Sequence, residues 1–331
     1  MMNVAILYLD ALQGGGYPRD VRWLAGGLAS AGVAVKLIAH PGPHRDGLGT
    51  AVTVDPQEFH SVAPAADILH LWGIFSPAQF RLSRWLRPRA RYVITPAGHL
   101  MQPHLRRRWW KKFPYIAAMQ PVLATSPHVA HFFSETERAA RGSRYLRAVA
   151  SFDASLGLFP VFTKKETPAA ASDDYLLFFG RNDVYQKGID ILLESYARGM
   201  AGGLGLPLLI AGQPAGDSER FIAKAIDRLG LAGRVQVLGG VSEERKWELL
   251  SGARGLVFLS RWDGPPRPLR EAMATGTPVI VSAGTNLGEI VRAVGGGLCV
   301  ETRPDEIAAG LLRSQDDPTA RLWKSRAGAY R

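Results

Sequence analysis

The sequence predicts an α/β protein built from two doubly wound, parallel-sheet domains that face each other across a cleft. Two observations carry that prediction. Short apolar runs, closed on both sides by Gly, Pro or Ser, alternate with helical patterns along the chain, and such runs are apolar throughout rather than every second residue. The rhythm then breaks once, at residues 164–174 (KKETPAAASDD), a small and polar stretch with the composition of a linker, and resumes. The 331 residues suit two domains of ordinary size.

In the first half, residues 4–9 (VAILYL) are a buried strand followed by Gly14, Gly15 and Gly16. Val21, Leu24, Ala25 and Leu28 then fall on one helical face that closes near Gly32. Residues 33–39, 68–72, 92–95, 122–125 and 129–133 are read as further strands. The second half is more regular, with strands expected at 175–179, 207–211, 235–238, 256–259, 279–281 and 298–300. Helices are expected near 188–199, 218–230, 242–252, 268–275 and 286–293. The domains are therefore placed at 1–165 and 166–316, with 317–331 as a terminal helix packing back toward the first domain through Leu322, Trp323 and Tyr330.

Composition excludes several function classes. Cys299 is the single cysteine, so an internal disulfide and a cysteine-built zinc site are both excluded. The run at 4–9 lacks a basic lead-in and is interrupted by Asp10, unlike a signal peptide, and no stretch approaches the ~20 apolar residues of a membrane span. A cytoplasmic protein is the expectation. Of the net charge of +11, nearly all sits in residues 1–150, which carry 18 Lys and Arg against 8 Asp and Glu. Residues 151–331 are almost balanced, at 22 against 21. Much of the excess lies in Arg81, Arg84, Arg87, Arg89 and Arg91, and in the run from Arg106 to Lys112, which contains Trp109 and Trp110. Such a half attracts an anionic membrane face or a polyanion.

The most informative segment is 259–281 (LSRWDGPPRPLREAMATGTPVIV). A strand ends, a polar loop carries Asp263, and a helix opens at 266–268, where proline costs no intrahelical hydrogen bond. Glu271 follows eight positions after Asp263, so both carboxylates lie at one strand-to-helix junction. A carboxylate there can accept sugar hydroxyls; it can equally be an acid favoured by the helix dipole.

These residues resemble the retaining nucleotide-sugar glycosyltransferases of family 4, which have the two-domain Rossmann-like GT-B fold. The resemblance rests on Ser260, on Asp263 and Glu271 in the spacing of the family's paired acids, and on Ala272-Met273-Ala274 and Gly276-Thr277-Pro278-Val279-Ile280. Upstream, Phe179-Gly180-Arg181 and Lys187-Gly188-Ile189-Asp190 are similar to its Gly-Arg and Lys-Gly pair, and Leu209-Ile210-Ala211-Gly212 to its next landmark. Gly284 to Val291, the glycines at 14–16 and Phe133-Ser134-Glu135-Thr136-Glu137 complete a match that spans essentially the whole chain.

The resemblance implies a hexosyltransferase that uses a nucleotide-diphosphate sugar, a UDP- or GDP-sugar, with no cofactor and no metal. It implies that Arg181 and Lys187 bind the diphosphate, that Glu271 receives the ribose hydroxyls and that Asp263 holds the transferred sugar. Gly15 and Gly16 bring backbone N–H groups to the phosphates, while Gly180, Gly212, Val241 and Gly264 line the donor pocket. The acceptor is a glycan or lipid-linked sugar used in polysaccharide or glycolipid biosynthesis, reached by a basic domain resting on the inner membrane face. No nucleic acid is expected as partner.

Two departures from the family stand out. Its first acid is usually Glu followed by Gly-x-Gly, whereas here Asp263 precedes Gly264-Pro265-Pro266-Arg267-Pro268, which removes three backbone donors. Arg267 then substitutes with its side chain, or the sugar is held differently. The family's acceptor-side histidine is matched only by His99, two positions from its expected place. Two alternatives follow from the residues: a protein of the same fold that binds nucleotide sugar without transferring it, and a basic nucleic-acid-binding protein.

Overall fold

The computed structural model describes residues 1–9, 16–40, 48–76, 91–125, 128–154, 175–264, 266–285 and 288–316. The chain divides into two compact units, Met1–Leu156 and Gly157–Arg331. The stretch expected to be a linker, 164–174, and the expected terminal helix, 317–331, lie outside the described residues.

In the first unit the strands are β1 (Asn3–Leu7), β2 (Ala34–Ile38), β3 (Val52–Val54), β4 (Ile68–Trp72), β5 (Arg91–Thr95), β6 (His128–Phe132) and β7 (Ala150–Asp153). They form one sheet in the order β3-β2-β1-β4-β5-β6-β7, every pair parallel. Its helices are α1 (Gly16–Ser30), α2 (Phe59–Val62), α3 (Gln102–Arg106), α4 (Trp109–Thr125) and α5 (Glu135–Ala139), followed by a 3-10 helix at Arg141–Leu146. The second unit carries β8 (Leu176–Phe179), β9 (Leu208–Ala211), β10 (Val235–Gly239), β11 (Gly255–Phe258), β12 (Val279–Ser282) and β13 (Gly297–Val300), ordered β10-β9-β8-β11-β12-β13. Its helices are α6 (Ile189–Ala201), α7 (Ser218–Arg228), α8 (Glu243–Gly252), α9 (Arg267–Ala274), α10 (Gly288–Val294) and α11 (Pro304–Asp316).

Each sheet is covered on both faces because its central strands are apolar at every position. Leu176 and Phe178 join one core cluster while Leu177 joins the other. Val257 and Leu256 divide the same way, as do Ala5 and Leu7 against Val4 and Ile6. This is the period-two alternation of a strand with helices on either side.

One expected strand is corrected. Residues 122–125 form the last turn of α4, a helix of 17 residues with Pro114 and Pro121 inside it. The Thr125 hydroxyl donates back to the Pro121 and Val122 carbonyls at 3.0 and 3.1 Å. The short apolar run is helical because Leu123 packs into the core as part of that helix, and a run of four residues carries no periodicity that separates the two states. Two strands, β3 and β7, had no sequence signal. Both are sheet edges, and β7 is exposed at all four positions, so neither needs an apolar run.

Candidate functional site

In the second unit the strand order reverses its direction of growth between β8 and β11. The C-terminal ends of two such strands are the standard ligand position of a doubly wound sheet. Residues 180–188 leave β8 and residues 259–266 leave β11, and these two loops carry Arg181, Lys187, Asp263 and Gly264.

Their closeness has a steric cause. Gly188 sits at φ +69°, and a Cβ there would lie 2.2 Å from the Leu259 carbonyl oxygen. Glycine lets the first loop press against the end of β11. Within that loop Asp183 Oδ1 accepts from the Gln186 amide at 2.9 Å, closing a turn that presents Lys187. Arg261 ties the two loops together. Its guanidinium forms a bidentate pair with Asp190, both contacts at 2.8 Å, donates to the Tyr185 carbonyl at 2.6 Å and lies 4.3 Å over the Tyr185 ring. Gly212 is confined more severely still, with φ +147° and a Cβ position 1.6 Å from the Gly180 oxygen.

The acids and cations then meet in pairs. The Lys187 ammonium is ion-paired to Asp263 Oδ2, with side chains only 12% and 9% exposed. The Ser260 hydroxyl donates to the same oxygen at 3.0 Å. Glu271 on α9 is buried, and its Oε1 receives Arg267 Nε at 2.7 Å and Lys246 Nζ at 2.9 Å. Lys246 also reaches Glu243 at 2.7 Å and lies over the Trp247 ring at 4.5 Å. Arg181 stays more than half exposed, bonded to Gln186 Oε1 at 2.9 Å and 3.6 Å from Asp183. Gly264 is buried, Val241 is half-buried against the core, and Pro266 precedes the first turn of α9 without a side-chain cap. Pro265 lies outside the described residues.

Sequence reasoning missed Lys246. It reads as part of the charged run Glu243-Glu244-Arg245-Lys246 at a helix start, yet it shares the inward face with Leu249 and Leu250, three and four positions on. A lysine on the apolar stripe of a helix was the available signal. Ser260 was singled out only as part of the family landmark and Arg261 was passed over, because a loop sequence does not show which side chains bridge it.

The first unit, taken by itself, holds His99 in the loop after β5. Gly15 lies outside the described residues, and Gly16 opens α1. His99 is half-buried, its ring stacked on His104 with centroids 5.1 Å apart. Its Nδ1 accepts weakly from the Ile74 amide at 3.4 Å. Burial, then the neighbouring His104 and Lys112, push its pKa down to about 3, so it is neutral near pH 7. The loop is held by Glu137, fully buried, whose two oxygens accept from the Gly98 amide and, at 2.9 Å, from the Phe133 amide. Burial raises that carboxyl to about 7 against the pull of the two N–H donors.

The same unit contains a directed hydrogen-bond chain across the sheet. His131 Nε2 lies 2.9 Å from the Ala154 carbonyl, which can only accept. His131 Nδ1 must therefore accept from the Thr95 hydroxyl at 2.9 Å, and Thr95 must accept from His70 Nε2 at 2.7 Å. Burial lowers the pKa of both imidazoles, and the resulting neutrality is what leaves His131 Nδ1 an acceptor.

The model of the family described as glycosyl transferases group 1 matches residues 161–328, half of the chain. The chain belongs to the group 1 glycosyltransferases. This glycosyltransferase is 30% identical over 219 residues to the MMP alpha-(1->4)-mannosyltransferase of Mycolicibacterium hassiacum, covering 64% of the chain and 52% of that relative. It is 26% identical over 276 residues to the GDP-mannose:cellobiosyl-diphosphopolyprenol alpha-mannosyltransferase of Xanthomonas oryzae, covering 80% and 69%. The chain thus spans about half the length of the first of these curated relatives. In structure it is similar to sucrose-phosphate synthase from Thermosynechococcus elongatus, with a TM-score of 0.73 at 19% identity over 100% of this chain and 94% of that one. It is equally similar to WaaG, a glycosyltransferase involved in lipopolysaccharide biosynthesis, with a TM-score of 0.73 at 15% identity over 99% and 94%. These likenesses assign the GT-B fold.

Proposed function

We propose that the chain is a retaining, metal-independent hexosyltransferase of family 4 that moves a sugar from a nucleoside diphosphate to a glycan or lipid-linked acceptor. The observation that carries this reading is the convergence of Lys187, Asp263, Arg267, Lys246 and Glu271 at the C-terminal ends of β8 and β11. Two carboxylates, each already held by a cation, suit a ligand with hydroxyls to donate and a diphosphate to be neutralised. Glu271 receives the ribose hydroxyls through Oε2, since Lys246 and Arg267 both engage Oε1. Asp263 accepts from the transferred sugar, and Lys187 turns from Asp263 to the diphosphate, joined by the exposed Arg181. Gly180, Gly212, Val241 and Gly264 give the donor its shape-defining walls, and Gly15 and Gly16 supply amides to its phosphates. Arg267 takes the place of the missing backbone donors at 265–268.

In this mechanism the bond from the anomeric carbon to the diphosphate breaks as the acceptor oxygen attacks the same face. The acceptor proton passes to the departing diphosphate oxygen. The protein contributes positioning and charge stabilisation, with neutral His99 available to accept a sugar hydroxyl. Several relatives are named as mannosyltransferases, two of them with GDP-mannose, which makes GDP-mannose the first donor to try, ahead of UDP-hexoses. Residues 1–165 are the acceptor domain and 166–316 the donor domain. The enzyme works at the inner face of the membrane, which its basic half touches.

The test is release of nucleoside diphosphate and formation of a glycoside with retained anomeric configuration, read by NMR on the purified protein. Turnover that falls at least roughly 100-fold in Glu271→Ala is expected. Saturable donor binding with no transfer or hydrolysis would favour the binding-only reading, for which Pro266 and Pro268, lacking N–H groups, are the specific motive.

A further inference from the structure

A second pocket, about 210 Å³ in volume, opens on the first unit, and the donor site makes no use of it. Arg106, Arg141 and Arg144 line it together with Trp109, Phe113 and Tyr145, and no acidic residue does. The helices explain the convergence. Arg141 and Arg144 are three apart in a 3-10 helix and so share one side of it. Trp109 and Phe113 are four apart at the start of α4 and share a face. The two elements meet where the Phe113 and Tyr145 rings pack edge-on, with centroids 6.3 Å apart at 90°, and Arg144 lies 5.9 Å over the Tyr145 ring.

Three guanidiniums around one cavity repel each other unless an anion joins them. Among the described residues, none of the three is ion-paired to a carboxylate, whereas Arg138 nearby is paired twice. The aromatic walls are exposed to an unusual degree, Trp109 at 58% and Phe113 at 41%. An Arg fork matches two phosphate oxygens, and a ring face takes the C–H face of a sugar or a glyceride backbone. The cavity is smaller than the ~300–1,000 Å³ of pockets that enclose whole small molecules, so it takes a headgroup and leaves the rest of the ligand outside. It is also fixed to the acceptor loop. At Gly142 a Cβ would stand 2.1 Å from the Leu100 oxygen and 2.7 Å from Leu105 Cδ1, so the pocket wall is seated on the residue next to His99.

We propose that this pocket binds the phosphate ester of the acceptor and thereby presents the acceptor sugar to the His99 loop. The inference rests on the transferase reading for the word acceptor, but binding itself is measured without donor. Titration calorimetry on the full chain uses mannose 1-phosphate against mannose, and vesicles of phosphatidylglycerol against phosphatidylcholine. Two double variants remove equal charge: Arg141→Ala/Arg144→Ala in the pocket, and Arg220→Ala/Lys224→Ala on exposed positions of α7 in the second unit. All four side chains are exposed, and circular dichroism confirms that each variant folds.

The expected result is saturable binding of one phosphorylated probe, weakened at least roughly tenfold by the pocket pair and by less than about threefold by the outer pair. Trp109→Ala weakens the same probe. Binding of mannose 1-phosphate identifies a soluble acceptor, and binding of vesicles alone identifies a lipid headgroup; either supports the site. Equal loss in both double variants, or no saturable binding of either phosphorylated probe, overturns it. A pocket-specific loss in a protein that turns over no nucleotide sugar would keep the site and remove the enzyme reading.

Discussion

Gly212 and Gly216 separate two meanings of a glycine. At Gly216 φ is +56° with open space around a Cβ, so alanine there costs about 1 kcal/mol of backbone strain. At Gly212 the Cβ would meet the Gly180 oxygen at 1.6 Å, so Gly212→Ala displaces the start of the Arg181 loop. Denaturant unfolding of the second unit is expected to show a loss of more than about 3 kcal/mol for Gly212→Ala, and similar losses in the two variants would contradict this. Lys246→Met leaves buried Glu271 with Arg267 as its remaining cation, which destabilises by about 2–4 kcal/mol. It also raises KM for the donor, because the carboxylate loses its fixed orientation; an unchanged KM would deny Lys246 that role. Asp263 and Glu271 stand at the strand-to-helix junction that their spacing marked, and Lys187, singled out through the family resemblance, pairs with Asp263. The contact of Lys246 with Glu271 could not be read from the sequence, because it depends on how α8 packs beside α9. The prolines marked the loop at 265–268, but only packing turns the Arg267 guanidinium onto Glu271.

Elements buried on both sides of a sheet were readable from short apolar runs, which is why β4 and most of the second unit fall where periodicity puts them. Edge strands and proline-bearing α4 escape that logic, since one lacks burial and the other lacks an uninterrupted helical signature. The polar chain through β4, β5 and β6 is a further product of tertiary structure, and it makes a pH prediction. His70 and His99 sit at about 3 and His104 at about 4, all below the ordinary 6.5, mainly through burial. Their unfolded forms take up protons below pH 6.5 while the folded forms do not, so stability falls as pH drops from about 6.5 toward 4. Glu137, raised to about 7, acts oppositely between its ordinary 4.5 and that value, and is outweighed by the histidines. Stability measured against pH is expected to fall on acidification through that window. His70→Leu should flatten the slope by about 1.4 kcal/mol per pH unit; a parallel curve would contradict the assignment of His70 as buried and neutral.

On the scale of the whole molecule, charge and fold divide the labour. The basic half carries exposed Trp109, Trp110 and Phe113 beside Arg106, Arg107, Arg108 and Lys111, and among the described residues no helix is long and apolar enough to cross a membrane. The proposed surface attachment would then depend on anionic lipid. Sedimentation with phosphatidylglycerol vesicles should carry the protein down and release it at high salt, because the attraction is screened within about 3 Å at 1 M. Equal recovery with neutral vesicles would remove the membrane from the account.

The second unit carries the central claim, that its switch-point crevice holds a nucleoside diphosphate sugar. Thermal unfolding with a panel of nucleotide sugars measures it most directly, since a ligand at 100 times its Kd stabilises the folded state by about 2.7 kcal/mol. A saturable rise in midpoint is expected with one donor, GDP-mannose first, and is abolished in Lys187→Ala and in Glu271→Ala. No shift with any donor, or a shift that survives in both variants, would contradict it.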